Sequence, residues 1–113
     1  MKIPESDWKK LRGIRENLLD RLCAGILADL KSRLEAEDLS VQSHQKYLSV
    51  YRFIEQSDEI VGRLFNDWRR STVFGTLYQW VREGIMMEEE FESLSEETKD
   101  RIHRMTEPKF YSE

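Results

Sequence analysis

Residues 65–74 have the sequence FNDWRRSTVF and mark the point where the apolar pattern of the chain changes phase. Upstream of them, a row with alternating steps of four and three residues consists of Tyr47, Tyr51, Ile54, Asp58, Val61, Phe65 and Trp68. Continuing this row would need apolar side chains where the chain has Thr72, Gly75 and Gln79. The apolar residues that follow are instead Val73, Phe74, Leu77, Trp80 and Val81. Since no proline causes the change, it indicates a new helix direction, and residues 66–72 are predicted to form a corner.

Two long helices are predicted before this corner. The first stripe of apolar residues, at steps of three and four, consists of Trp8, Leu11, Ile14, Leu18, Leu22, Ile26, Leu30 and Leu34. It predicts a helix over about 7–36 with Ser6 or Asp7 as its cap. The run 37–43 lacks such a period and predicts a turn. The row described above then predicts a second helix over about 42–67, because its spacing keeps one helix face against a partner.

Shorter helices are predicted after the corner. The third helix should end at Gly84, where a left-handed residue closes a helix. Three glutamates from Glu88 suit the first turn of a short helix, and Ser95 should cap a last helix from Glu96 to about Met105. We therefore predict an all-α fold. It is a compact helical bundle built on a long antiparallel helical hairpin plus two or three shorter helices.

Length and composition limit the classes of protein to consider. The 113 residues predict one domain over 1–113, with an ordered core at about 6–106. The single cysteine excludes an intrachain disulfide, and no apolar run is long enough for a signal peptide or a membrane span. We expect a cytoplasmic protein that does not enter a membrane.

Charge is distributed unevenly along the chain. Residues 1–82 carry 14 basic and 12 acidic side chains, a balance of +2, whereas residues 83–113 carry 4 and 10, a balance of −6. The sequence pI is about 5.3, which is low for a dedicated nucleic-acid-binding protein. Nucleic acid is therefore not the expected partner.

Residues with catalytic or metal-binding chemistry form no recognisable pattern. The nearest match to a carboxylate metal site is the pair Asp100 and His103, which is most simply a surface pair. Cys23 lies inside the first apolar stripe, where an inert thiol is expected. Glycine-rich phosphate loops and hydrolase or kinase signatures are missing from the sequence. We expect no enzymatic activity, no cofactor and no bound metal.

The arginines are the more informative set. If the second helix stays regular to its end, Arg52, Arg63 and Arg70 lie within about 20° of one line. Trp68 beside Arg69 and Arg70 has the aromatic and guanidinium character of an interface hot spot. The predicted partner-binding residues are therefore Arg52, Arg63, Trp68, Arg69 and Arg70. The alternative is a solvated face in which Glu59 pairs with Arg63 and Asp67 with Arg70.

The apolar residues and the arginines of the corner are expected to have different roles. Phe65, Trp68, Val73 and Phe74 should be largely buried. Arg69 or Arg70 should contact Asp67 or another acidic side chain, and residues 88–97 are a candidate source of it. Asp58 interrupts an apolar row. It is expected to be at a rim position or to be satisfied by an arginine or a tyrosine hydroxyl, and the alternative is a functional buried acid.

The sequence thus predicts a small intracellular protein-protein interaction module of adaptor or regulatory type. Its partners are proteins of unknown identity, and a homodimer is preferred to a monomer. The alternative is a nucleic-acid-binding protein that uses the row Arg52, Arg63 and Arg70 together with the helix corner at 66–72.

Overall fold

The chain is helical throughout the part described by the structure, a computed structural model that covers residues 2–36 and 40–112. Within these residues there are five α-helices and no β-strand. The helices are α1 (Glu5–Glu35), α2 (Ser43–Phe65), α3 (Val73–Arg82), α4 (Glu88–Glu92) and α5 (Glu96–Met105), and a short 3-10 helix covers Arg70–Thr72. The all-α prediction is confirmed. The predicted turn at 37–43 includes residues 37–39, which lie outside the described residues.

Side chains of α1 and α2 bond to backbone carbonyls of the other helix. In the first half of α1, the Arg15 guanidinium donates to the carbonyl oxygen of Phe65, the last residue of α2, at 2.6 Å. Near the end of α1, the Leu34 carbonyl accepts a hydrogen bond of 2.9 Å from the Lys46 ammonium group, which lies in the first turn of α2. A lysine in this position satisfies a carbonyl that the helix end leaves without an internal partner.

The core lies at one end of this helix pair. Its apolar members in α1 are Leu11, Ile14 and Leu18, and those in α2 are Leu64 and Phe65. The shorter helices add Val73, Phe74, Leu77, Trp80, Val81, Phe91 and Ile102, and Leu94 adds to the core from the link between α4 and α5. We call residues 23–36 and 40–60 the arm and the rest of the described residues the head.

Placing the core at one end makes the molecule elongated. It measures 55 × 26 × 23 Å, and its radius of gyration is 17.4 Å. A compact domain of this length would have a radius of gyration of about 13 Å. The chain is therefore more extended than the compact bundle predicted from its sequence, because α1 and α2 continue beyond the helices that cover them.

The corner is built around Trp68. Its ring stacks on Trp8 at a centroid distance of 4.8 Å and on Trp80 at 5.7 Å. Because Trp8 lies in α1 and Trp80 in α3, the stack holds the first helix against the helix that follows the corner. Phe65, Val73 and Phe74 are buried as predicted. Trp68 was also predicted to be largely buried but is only half-buried.

A buried carboxylate ties α1 to α5. Asp7 is fully buried and accepts hydrogen bonds from the Ser95 amide at 3.0 Å, the Ser95 hydroxyl at 2.6 Å and the Thr98 hydroxyl at 2.5 Å. The predicted capping of α1 by Ser6 or Asp7 is wrong, since α1 already begins at Glu5 and Asp7 bonds to a distant helix. Ser95 caps α5 as predicted, accepting from the Thr98 amide.

The residues that follow α3 and the tail after α5 pack together in the head. Gly84 has a φ of 70°, the left-handed conformation predicted for the end of α3. Beyond α5 the tail returns to this point, where the Lys109 amide donates to the Val81 carbonyl at 3.1 Å and the Tyr111 amide to the Met86 carbonyl at 2.7 Å. These two hydrogen bonds hold the tail against the end of α3 and the residues that follow it.

We predict that Trp68→Ala lowers the free energy of unfolding by about 2 to 3 kcal/mol, because it removes a large side chain stacked on two others. The thermal midpoint should fall by roughly 10 °C. Arg69→Ala, at the next residue, is the control and should leave the midpoint nearly unchanged, since its ion pair is exposed. Equal midpoints for the two variants would contradict the role assigned to the stack.

We also predict that the stabilising effect of Asp7 depends on pH. Burial raises the pKa of Asp7, but the hydrogen bonds from Ser95 and Thr98 outweigh it, so the pKa lies below its ordinary value. A carboxyl group with a lowered pKa stabilises the fold above its unfolded pKa of about 3.9, and this contribution is lost as pH falls through the folded pKa. Asp7→Asn should cost roughly 1 to 3 kcal/mol at neutral pH, and denaturant titrations should show the difference shrinking below about pH 4. A difference that stays constant with pH would refute this assignment.

Candidate interaction surface

The arginines of the corner are engaged with acidic side chains. Arg69 pairs with Asp67 at 2.8 Å, and Arg70 pairs with Glu5 at 2.9 Å while its guanidinium lies over the Trp8 ring. The expected contact of a corner arginine with Asp67 is confirmed. The acidic residues 88–97 do not supply its partner, since both corner arginines bind other carboxylates.

The arginine row on α2 is shorter than predicted. Arg63 donates two hydrogen bonds to Glu83, at 2.5 and 2.9 Å, and this bonding holds the pKa of Glu83 below its ordinary value. Arg52 is exposed and has neither a hydrogen bond nor an ion pair within the described part of the chain. Because α2 ends at Phe65, the row does not continue to Arg70, which lies in the 3-10 helix.

Two arginines of α1 make contacts that the sequence-based interpretation missed. The Arg15 guanidinium lies over the rings of Phe65 and Trp68, at 5.8 and 5.6 Å from their centroids. Arg21 pairs with Glu90 of α4 at 3.1 Å. A signal for Arg15 was present, since it follows Trp8 by seven residues, or two helical turns, and so shares its face.

The arm carries most of the exposed large apolar side chains of the described residues. Five of them are Leu27 (63% exposed), Leu34 (52%), Tyr47 (67%), Tyr51 (54%) and Ile54 (47%). The three residues from α2 fall within about 60° of one line on the helix. They belong to the row that was predicted to lie against a partner, and that row divides at Asp58. From Val61 onward it packs in the head, whereas its arm half is exposed.

A shallow groove occupies one flank of the arm where the arm meets the head. It has a volume of about 360 Å³. Its lining consists of Leu18, Arg21, Leu22, Gly25, Ile26, Asp29, Phe53, Ser57, Ile60, Ile85 and Tyr111. Within α2, Ile60 is the large apolar residue of this lining that is exposed, at 42%.

The five exposed residues lie on the flank opposite the groove. Leu27 is two residues from both Gly25 and Asp29, which line the groove, and is therefore about 160° around α1 from them. Ile54 is about 120° around α2 from Ile60. We call the surface formed by Leu27, Leu34, Tyr47, Tyr51 and Ile54 the open flank.

Asp58 lies at the head end of the open flank. Its side chain is exposed, which agrees with the predicted rim position and contradicts the predicted buried acid. No hydrogen bond or ion pair engages the carboxylate within residues 2–36 and 40–112. The described part of the chain therefore supplies neither an arginine nor a tyrosine hydroxyl as a partner for Asp58.

No protein family, curated protein or solved structure matches this chain. Among the described residues, no helix is long and apolar enough to span a membrane. Nor do three or more His, Cys, Asp or Glu side chains come together there in a way that would hold a metal ion. The geometry of the arm and of the corner is the basis for assigning a function.

Proposed function

We propose that this chain is a small helical protein-protein interaction module of adaptor or regulatory type. In this proposal α1 and α2 form an antiparallel helical hairpin whose open flank binds a protein partner. One observation carries the proposal: five large apolar side chains are exposed together on one flank of a two-helix arm.

The composition of the open flank suits a protein partner. Two of its five residues are tyrosines, a residue type enriched at interfaces because its ring is apolar and its hydroxyl accepts and donates hydrogen bonds. Burying a large apolar side chain contributes about 1.5 to 3 kcal/mol, so a partner that covers the flank gains substantial free energy. The partner should itself present an apolar helical face, because the flank is a ridge of two helices.

The arginines and Trp68 have a secondary place in this proposal. Arg52 remains available for an acidic group of a partner, whereas Arg63, Arg69 and Arg70 are each neutralised by a carboxylate of this chain. This pairing reduces the positive charge that a nucleic acid would meet, and so favours a protein partner over the alternative. The proposal includes no catalytic step, and it places the protein in the cytoplasm.

Capture from a native extract, with nuclease treatment, tests the proposal. The unmodified chain and its Ile54→Glu, Ile60→Glu and Arg52→Ala/Arg63→Ala variants serve as baits, and bound proteins are identified by mass spectrometry. We expect Ile54→Glu to lose a protein that nuclease does not release, because a carboxylate on the open flank is costly to bury.

Ile60→Glu is the matched control, since the same substitution is made in the same helix at similar exposure but on the groove flank. It should retain that protein. The arginine double variant should weaken the capture without abolishing it. Retention of every partner by Ile54→Glu, or loss of all partners on nuclease treatment, would contradict the proposed function.

A further inference from the structure

The open flank has a spacing that fits a second copy of this chain. We infer that two molecules associate through it, with α2 of one packed antiparallel to α2 of the other about a two-fold axis between Tyr51 and Ile54. This inference rests on the proposed function, because it names the partner of the same surface.

The spacing of the exposed row is the same in both directions. From Tyr47 the steps to Tyr51, Ile54 and Asp58 are four, three and four residues. These are the steps of a coiled-coil seam, in which one helix face stays against a partner helix. Reversing the helix leaves the steps unchanged, so a two-fold axis at the centre of the row brings each position opposite another member of the row.

This antiparallel arrangement gives each side chain of the row a chemically suitable neighbour. At the centre, Tyr51 of one molecule packs against Ile54 of the other, twice by symmetry. At the two ends, the Tyr47 hydroxyl faces the Asp58 carboxylate of the other molecule and can donate a hydrogen bond to it. The exposed Asp58 thereby gains the polar partner that the described part of its own chain does not provide.

A parallel arrangement of the same row is less favourable. It would place Asp58 opposite Asp58 of the other molecule, and like charges in register repel. It would also bring both heads to the same end of the pair. The antiparallel arrangement separates the heads, which is compatible with arms that project from one end of an elongated molecule.

The open flank supplies most of the area that a standard dimer interface buries on each partner. With roughly 200 Å² for a fully exposed large side chain, the five open-flank residues expose about 550 Å². A specific interface of standard size buries about 800 Å² on each partner. The half-buried neighbours Cys23, Leu30 and Val50 border the flank and contribute to the difference.

Sedimentation equilibrium of the purified chain over the micromolar range tests the inference. The unmodified chain should show a mass of twice 13.6 kDa. Ile54→Glu should raise the dissociation constant by about 30-fold or more, as for an interface hot spot, while Ile60→Glu should leave it nearly unchanged. Circular dichroism should show equal helix content in all three proteins, because both positions are exposed.

A charge exchange tests the antiparallel orientation. Tyr47→Glu places two carboxylates opposite each other and should weaken the dimer by about 10-fold, and adding Asp58→Lys should restore it to within a few-fold by pairing Glu with Lys. In a parallel dimer the double variant would set like charges against each other and would not be restored.

The outcomes distinguish whether the chain self-associates, where its interface lies and how the two molecules are oriented. A 13.6 kDa species alone for the unmodified chain would overturn self-association, while a partner lost by Ile54→Glu in the extract would still support the proposed function. A dimer that survives Ile54→Glu would overturn the location of the interface. A double variant that stays as weak as Tyr47→Glu would overturn the orientation.

Discussion

Stacking of Trp68 between Trp8 and Trp80 is the interaction on which the arrangement of the chain depends. Trp68 follows the end of α2, and its contact with the first turns of α1 brings the chain back over the base of the helix pair. From that point α3, α4 and α5 pack beside the early part of α1. The hydrogen bonds of Asp7 with Ser95 and Thr98 hold α5 there. The short helices α3, α4 and α5 are thus confined to one end of the pair formed by α1 and α2.

The exposed arm is a direct consequence of this confinement. Two helices side by side bury one face each, and further apolar side chains need another layer. In the head, Phe65 and Val61 of the α2 row pack in the core formed with the short helices. The arm residues of the same row, Tyr47, Tyr51 and Ile54, have no such layer and are exposed. The confinement of the short helices to one end therefore supports the proposed function, because the apolar side chains that it leaves exposed on the arm can be buried by another chain.

Features with local causes were predictable from the sequence, and features that depend on distant partners were not. The phase change after Trp68, the left-handed Gly84 and the Ser95 cap are set by neighbouring residues, and all three agree with the structure. Asp7 was misassigned because its partners lie 88 and 91 positions away. The exposure of half of the α2 row also could not be predicted from the sequence. A periodic spacing indicates that a helix face has a partner, but it does not indicate whether that partner is in the same chain.

Amide hydrogen exchange at a series of protein concentrations tests most directly whether a second copy of the chain covers the exposed apolar side chains of the arm. We expect exchange to slow in residues 43–57 of α2 as concentration rises, while exchange in α3 stays the same, because association covers the arm and leaves the head unchanged. Exchange in residues 43–57 that is independent of concentration would contradict it.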